Sequence, residues 1–285
     1  MLLILDSNYI AWGCAHAFSQ GLTYEGSPTE VIFGFIRQTL LLNQKFDPNQ
    51  IVFCWDNNES LRTKIYSNYK ANRKSLTEEQ KESLVPVFSQ FKQLKERILF
   101  DLGFKNIFSV NGYESDDIIA RLVENEVAEE TVVVSADEDL YQLLDNCVLY
   151  SIQKKRTYTR RDLIAEHNLT PTEWVDAKAL GGCQSDNVKG IEGVGTKTVE
   201  KYLHGKLNKD SKIFKKIEFE KNSISKINLP LVRLPFNNTP KPKLKPNKLT
   251  LDRYIAVCEK YGLNSLLQDE YERIWIKMTK LIQGR

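Results

Sequence analysis

The chain has 285 residues, 41% hydrophobic and 27% charged, which is apolar enough for one large or two modest packed domains and too apolar for global disorder. No apolar run approaches the roughly 18 residues of a membrane helix, the N-terminus MLLILDSNYI lacks the basic start of a secretory signal, and the five cysteines are scattered without a CxxC pair, which argues against a disulfide framework or structural zinc site and fits a reducing cytoplasm. The net charge of +3 hides an asymmetry, because residues 206–248 hold twelve Lys/Arg against three acids; a polyanionic partner beside a gathering of carboxylates would explain this, and a solvated basic loop would explain the first half of it equally well.

In chain order, LLILD predicts a first strand ending at Asp6, residues 29–42 a helix, and IVFCWD a second strand ending at Asp56. A basic stretch at 60–74 precedes a helix over 84–102; NIFSV reads as a strand, and residues 114–127 as a helix with Ile118, Ile119, Leu122 and Val123 on one stripe. TVVVSAD is a further strand ending at Asp137, and CVLYS another. Two short helices, 171–181 and 196–204, flank a Gly-rich segment; residues 205–250, with five of the nine prolines, are expected to form a linker or extended arm, poorly ordered in places; residues 252–282 read as one or two helices. Short Val/Ile/Leu runs separated by helix-length stretches predict an α/β fold with a mostly parallel sheet buried on both faces, whose ligands bind beyond the carboxyl ends of the strands.

Three of those strands deliver an Asp to that edge. GYESDDII adds Glu114, Asp116 and Asp117, SADEDL adds Asp139 beside Asp137, and GGCQSDN adds Asp186. One or two such acids could merely complement a helix N-terminus, but eight in one cleft repel unless cations balance them, and carboxylate oxygens suit Mg²⁺ or Mn²⁺. Two such ions about 4 Å apart are suited to phosphodiester cleavage. The three histidines, His16, His167 and His204, fall in no catalytic motif.

Two further segments suit nucleic acid. SLRTKIYSNYKANRK carries Arg62, Lys64, Lys70, Arg73 and Lys74 among Tyr66 and Tyr69 with no acid; cations bind phosphates and tyrosines stack on unpaired bases, although an ordinary basic helix face has the same composition. In GIEGVGTKTVEKY, Gly190, Gly193 and Gly195 precede a helix whose first residues, Thr196 and Lys197, offer free N–H groups to a phosphate. It narrowly misses a P-loop, since Thr196 stands where that motif has Gly.

Five blocks in one order, LLILDSN, VFCWDNNESLRTKIYSNYKANRK, GYESDDIIA, VVVSADEDLYQLL and ALGGCQSDNVKGIEGVGTKTV, resemble the flap endonuclease / 5′–3′ exonuclease family, which includes the 5′-nuclease part of bacterial DNA polymerase I and stand-alone phage exonucleases. The resemblance runs from about Met1 to Tyr202. It implies a PIN-like 5′-nuclease fold, with a catalytic domain over 1–160, a helical arch at about 60–95, and a helix–three-turn–helix plus C-terminal helices over 161–285. It also implies that Glu114, Asp116, Asp117, Asp137 and Asp139 build a first metal site with Asp6 and Asp56 holding its waters, and that Asp186 serves a second. Lys70 and Arg73 match positions that steer the scissile phosphate, Arg62 a basic residue at the arch base, and Gly193 and Gly195 the DNA-gripping turn, where the family often holds K⁺.

The implied activity is structure-specific cleavage of DNA, with RNA primers as further substrates, at a 5′ end, nick or flap during replication or repair. It would be carried out by a monomer in the cytoplasm (the host's, if viral), beside replication proteins such as a single-strand-binding protein or sliding clamp. One position departs from the pattern: Cys183 stands where the family usually has an acid, so the second ion is expected to bind weakly. The rival readings are a PIN-type ribonuclease, disfavoured by the Gly-turn block, and a junction-binding protein that has lost its second metal, disfavoured by the retained acids.

Overall fold

The computed structural model describes residues 1–17, 21–57, 59–73, 77–127 and 130–283. Strand β1 (Leu2–Asp6) runs directly into α1 (Ser7–Ala17); a small hairpin of β2 (Thr23–Tyr24) and β3 (Ser27–Pro28) leads to α2 (Glu30–Phe46) and then β4 (Gln50–Cys54). After α3 (Arg62–Ile65) comes a long helical stretch, α4 (Glu78–Gln93), which continues through a π-helical turn at Leu94–Ile98 into α5 (Leu99–Asp101). Thr77 starts α4 with a reciprocal cap, its hydroxyl accepting from Gln80 N while Gln80 Oε1 accepts from Thr77 N. Then follow β5 (Ile107–Phe108), α6 (Ser115–Val123), β6 (Thr131–Val134), β7 (Val148–Ser151) and β8 (Arg156–Tyr158).

Among the described residues these strands form one six-stranded sheet in the order β5-β4-β1-β6-β7-β8, parallel except for β8. Side chains alternate across it. Leu3, Leu5, Phe53 and Val134 pack with Ile10, Phe35 and Trp275 on one face, and Ile4, Val52 and Val133 with Ile118, Leu140 and Trp174 on the other. Burial on both faces is why these strands read as unbroken apolar runs. Because Leu5 lies level with Phe53 and Val134, the residues that follow β1, β4 and β6 leave the sheet together.

The chain continues through α7 (Arg160–His167), α8 (Pro171–Gly181), the hairpin β9 (Gly182–Cys183) and β10 (Val188–Lys189), α9 (Thr196–Leu203), α10 (Lys212–Val232), α11 (Leu251–Lys260) and α12 (Asp269–Gln283). The expected division near residue 160 does not separate the cores: Trp275 of α12 shares one with β1, and Ile217 of α10 shares the other. No described helix is long and apolar enough to cross a membrane.

The expected linker or extended arm at 205–250 is half helix and half extended chain, and both halves are ordered. Its first half is α10, 21 residues long, with Ile217 and Leu231 buried and Pro230 confined to the last turn. Its second half, 233–250, is an extended strap that crosses α6 at Arg121 and then runs past residues 103–106, which precede β5. Asn106 clamps Lys245 from both sides, Nδ2 donating to its carbonyl at 2.9 Å and Oδ1 accepting from its N–H at 2.8 Å. Asn247 Oδ1 accepts from Lys105 N at 2.8 Å, and Lys248 N donates to Gly103 O at 2.8 Å.

Candidate active site

Asp6, Asp56 and Asp137 all emerge at the carboxyl edge of the sheet, each held by a neighbouring polar group. Asp6 is 7% exposed and accepts from Ser135 Oγ at 2.8 Å and from Tyr9 N at 3.2 Å. Asp56 Oδ1 accepts from the N–H and the hydroxyl of Ser115, at 2.9 and 2.8 Å, which ties the end of β4 to the first turn of α6. Asp137 Oδ1 accepts from Asp139 N at 2.7 Å, which fixes the tight turn that carries both acids.

The charge of this group is expensive to hold. Burial first, and the charges of Asp56 and Asp137 in addition, push Asp6 up to about 7. Asp116 is pushed well above the ordinary carboxylate range by burial and by Asp137, Asp6 and Asp56. Asp137, although open to water on its outer side, is raised by desolvation within the cleft and by Asp139. These are the marks of like charges forced together.

Asp117 belongs to a different arrangement. Its Oδ1 accepts from Arg62 Nη2 at 2.7 Å and Phe236 N at 2.8 Å, and its Oδ2 from Arg62 Nη1 at 2.7 Å and Glu114 N at 3.1 Å. Four donors fill the roughly four lone-pair sites of a carboxylate, which leaves no free lone pair for an ion. Arg62, expected at the DNA surface, is 2% exposed; its Nε donates to Leu231 O at 2.8 Å, and its guanidinium lies 4.9 Å from the Phe236 ring. Tyr69, expected to stack on bases, is 4% exposed, its ring in a small core with Leu231 and Val232 and its hydroxyl donating to Asp186 Oδ2 at 3.0 Å, with Glu114 Oε2 sharing that proton at 3.2 Å. Both are covered by the end of α10, which cannot be read from the basic segment alone.

Lys70 does reach the cleft. It sits at φ +57°, the left-handed region, in a turn whose N–H bonds Asp186 O at 2.8 Å. Its Nζ is 2.8 Å from Glu114 Oε2 and 3.8 Å from Asp186 Oδ1, and Arg73 Nη2 is 3.6 Å from the same Asp186 oxygen. Although burial opposes its charge, Lys70 and Arg62 hold Glu114 below its ordinary value. Lys64 is exposed on α3, and Lys74 lies outside the described residues.

On the far side, Asp139, Cys183 and Asp186 bring one ligand atom each within 4.8 Å of one another. Cys183 Sγ lies 3.7 Å from Asp139 Oδ2 and 3.1 Å from Ser185 Oγ. Lys178 of α8, which sequence reasoning passed over, ion-pairs with Asp139 at 2.7 Å; its place on the last turn of a helix eight residues before Asp186 was the available signal. The donor set, two carboxylates beside one thiol, fits divalent cations.

The glycine turn lies beyond α8. Gly190 is obligatory because a Cβ there would stand 2.2 Å from Gly181 C, and Gly193 takes φ +79°. Gly195 opens α9 without a side-chain cap, and Lys197 is exposed on its first turn beside Thr196. This leaves the first N–H groups directed outward, as an anion site requires.

Comparison with known proteins agrees with this geometry. The chain is 34% identical over 185 residues to a 5′-3′ exonuclease of Bacillus subtilis, covering 62% of this chain and 60% of that one. It is 32% identical over 205 residues to the thermostable DNA polymerase I of Thermus aquaticus, covering 71% of this chain but only 23% of the polymerase. In fold it is similar to the D15 flap endonuclease of bacteriophage T5 solved with DNA and metal ions, with a TM-score of 0.70 at 21% identity over 98% of this chain and 99% of that one. It is also similar to human GEN1 solved with Holliday junction DNA, with a TM-score of 0.56 at 13% identity over 99% and 71%. The model of the 5′-3′ exonuclease N-terminal, resolvase-like domain matches residues 1–168, more than half of the chain, and the protein belongs to that family.

Proposed function

We propose that this protein is a divalent-metal-dependent 5′-nuclease that hydrolyses DNA at a 5′ end or at the base of a 5′ flap. The observation that carries the reading is the convergence of Asp6, Asp56, Asp116 and Asp137 from four separate segments, close enough that burial and mutual repulsion raise the proton affinity of Asp6, Asp116 and Asp137. Such a cluster lowers folding stability and is retained where cations are to be held. The activity of the Bacillus relative and the DNA and metal ions bound to the T5 neighbour support the same reading.

In this reading Glu114, Asp116, Asp137 and Asp139 hold a first ion, Asp6 and Asp56 hold its waters, and Asp139 and Asp186, beside the neutral thiol of Cys183, hold a second. Divalent ions, when bound there, activate water and stabilise the leaving oxygen of a phosphodiester. Asp117 is reassigned from ligand to anchor of Arg62. Lys70 and Arg73, released from Glu114 and Asp186, turn to the scissile phosphate. The glycine turn and the N-terminus of α9 grip the duplex backbone, and the exposed Lys64 adds a phosphate contact.

The test is a 5′-labelled flap duplex incubated with Mg²⁺, with Mn²⁺, and with chelator. Short 5′ products or an excised flap are expected with either ion and none with chelator. Intact substrate under all three conditions overturns the proposal.

A further inference from the structure

Away from the cleft, the strap carries a second concentration of unbalanced charge. Lys241, Lys243, Lys245 and Lys248 follow one another through KPKLKPNK; all four are exposed, and none forms a side-chain ion pair among the described residues. No acid occurs between Glu220 and Asp252. In an extended segment, residues two apart stand roughly 6–7 Å from each other, a repeat comparable to that of successive phosphates on a nucleic-acid strand.

The lysines are also preorganised. Prolines 240, 242 and 246 restrict the backbone, and Asn106, Asn247 and Gly103 pin it through main-chain groups. Little further order has to be imposed on binding. The strap starts beside the active site, where Asn238 O accepts from the hydroxyl of Tyr113, the neighbour of Glu114. It then descends to the amino ends of β4 and β5, where Gln50 and Asn106 hold Lys245 and Gly103 holds Lys248, on the side of the sheet opposite β7 and β8. The glycine turn instead packs on α8, whose Trp174 bonds Glu138 O just after β6.

We infer that this lysine ladder seats the phosphate backbone of a second DNA arm, the one the glycine turn does not hold. The inference rests on the nuclease reading above. Leu244 is the large apolar side chain the ladder exposes, which leaves an apolar protein partner little to bury.

The test compares wild type with K241Q/K243Q/K245Q/K248Q in Ca²⁺, measuring affinity against salt for a two-armed flap substrate and for a single duplex with a 5′ overhang. The substitutions leave the pinning main-chain bonds in place, and circular dichroism checks the fold. On the two-armed substrate the variant is expected to bind at least tenfold more weakly, with a salt slope shallower by about 3.6, near 0.9 for each of the four lost phosphate contacts. The loss on the single duplex is expected to stay under twofold, and the four-fold Lys→Arg variant to bind like wild type. An unchanged slope, or equal losses on both substrates, overturns the ladder. If wild type itself neither binds nor cleaves the flap, the nuclease reading fails, which is a different result from an active wild type with an indifferent variant.

Discussion

Arg62 and Asp117 meet fork to fork, each terminal nitrogen 2.7 Å from one carboxylate oxygen, with the pair 2% and 0% exposed. The pair joins the base of the basic segment to α6, and through Leu231 O and Phe236 N it fastens the end of α10 and the start of the strap to the same point. Asp116 and Asp117 are thus adjacent in sequence and opposite in role: one sits among repelling acids, the other is saturated by donors.

Their substitutions should therefore act in opposite directions. R62M or D117N leaves a buried charge or its donors unpaired and should destabilise the protein by about 3–5 kcal/mol. D116N relieves repulsion and should leave stability in chelator unchanged or higher. Urea unfolding in EDTA decides it, and equal losses for D116N and D117N would show that the two carboxylates share one environment.

Asp6 gives a pH signature. Its carboxyl is moved from 3.8 to about 7, chiefly by burial. Below 3.8 both folded and unfolded chains carry the proton; between 3.8 and 7 only the folded chain does, so stability falls as pH rises through that window and levels off above it. For an isolated group the loss is on the order of 4 kcal/mol. In EDTA, D6N should be more stable than wild type at pH 8, with the gain shrinking toward pH 4. A constant difference across that range would remove the basis of the raised value.

Lys70 is held among the acids by Glu114 and by its left-handed turn. A charge placed at the reacting phosphate contributes most in the transition state, so K70A should slow single-turnover cleavage far more than it weakens binding in Ca²⁺. Loss of Lys64, exposed on α3, should do the reverse and lower the salt slope. An effect of K70A on the dissociation constant alone would place Lys70 with the ordinary phosphate contacts.

Much of this was legible in the sequence. Apolar runs ending in Asp gave both the parallel sheet and the edge where the acids collect, because burial on both faces and a shared register leave little alternative. What escaped was decided by distant packing. Asp117 looks like its neighbours until Arg62, 55 residues away, is seen to occupy it. Tyr69 and Arg62 read as surface groups because the α10 residues that cover them lie more than 150 positions on. The Pro-rich strap reads as loose chain because its order comes from two asparagines, Asn106 and Asn247, that leave no local pattern.

Cys183, which lies with Asp139 and Asp186 at the far side of the cleft, supplies the sharpest metal test. Its thiol is buried, and burial together with the charge of Asp139 raises its proton affinity, so it stays protonated at neutral pH. A neutral thiol is a poor partner for Mg²⁺, which prefers hard oxygen ligands. On the two-ion reading a second ion would rely on Asp139 and Asp186, and Asp139 is already shared with Lys178 at 2.7 Å. Its affinity should be low, so that cleavage needs more Mg²⁺ to reach half its maximal rate, and the softer Mn²⁺ should support cleavage comparatively well. C183D supplies the missing oxygen ligand. It should lower the Mg²⁺ concentration for half-maximal flap cleavage and bring the Mg²⁺ and Mn²⁺ curves closer together. The added acid also sharpens the repulsion with Asp139, so the same variant should be less stable than wild type in EDTA and regain stability when Mg²⁺ is added. Superimposable Mg²⁺ titrations for the two proteins would mean that Cys183 only packs beside the site and that the second ion, if bound, does not use position 183.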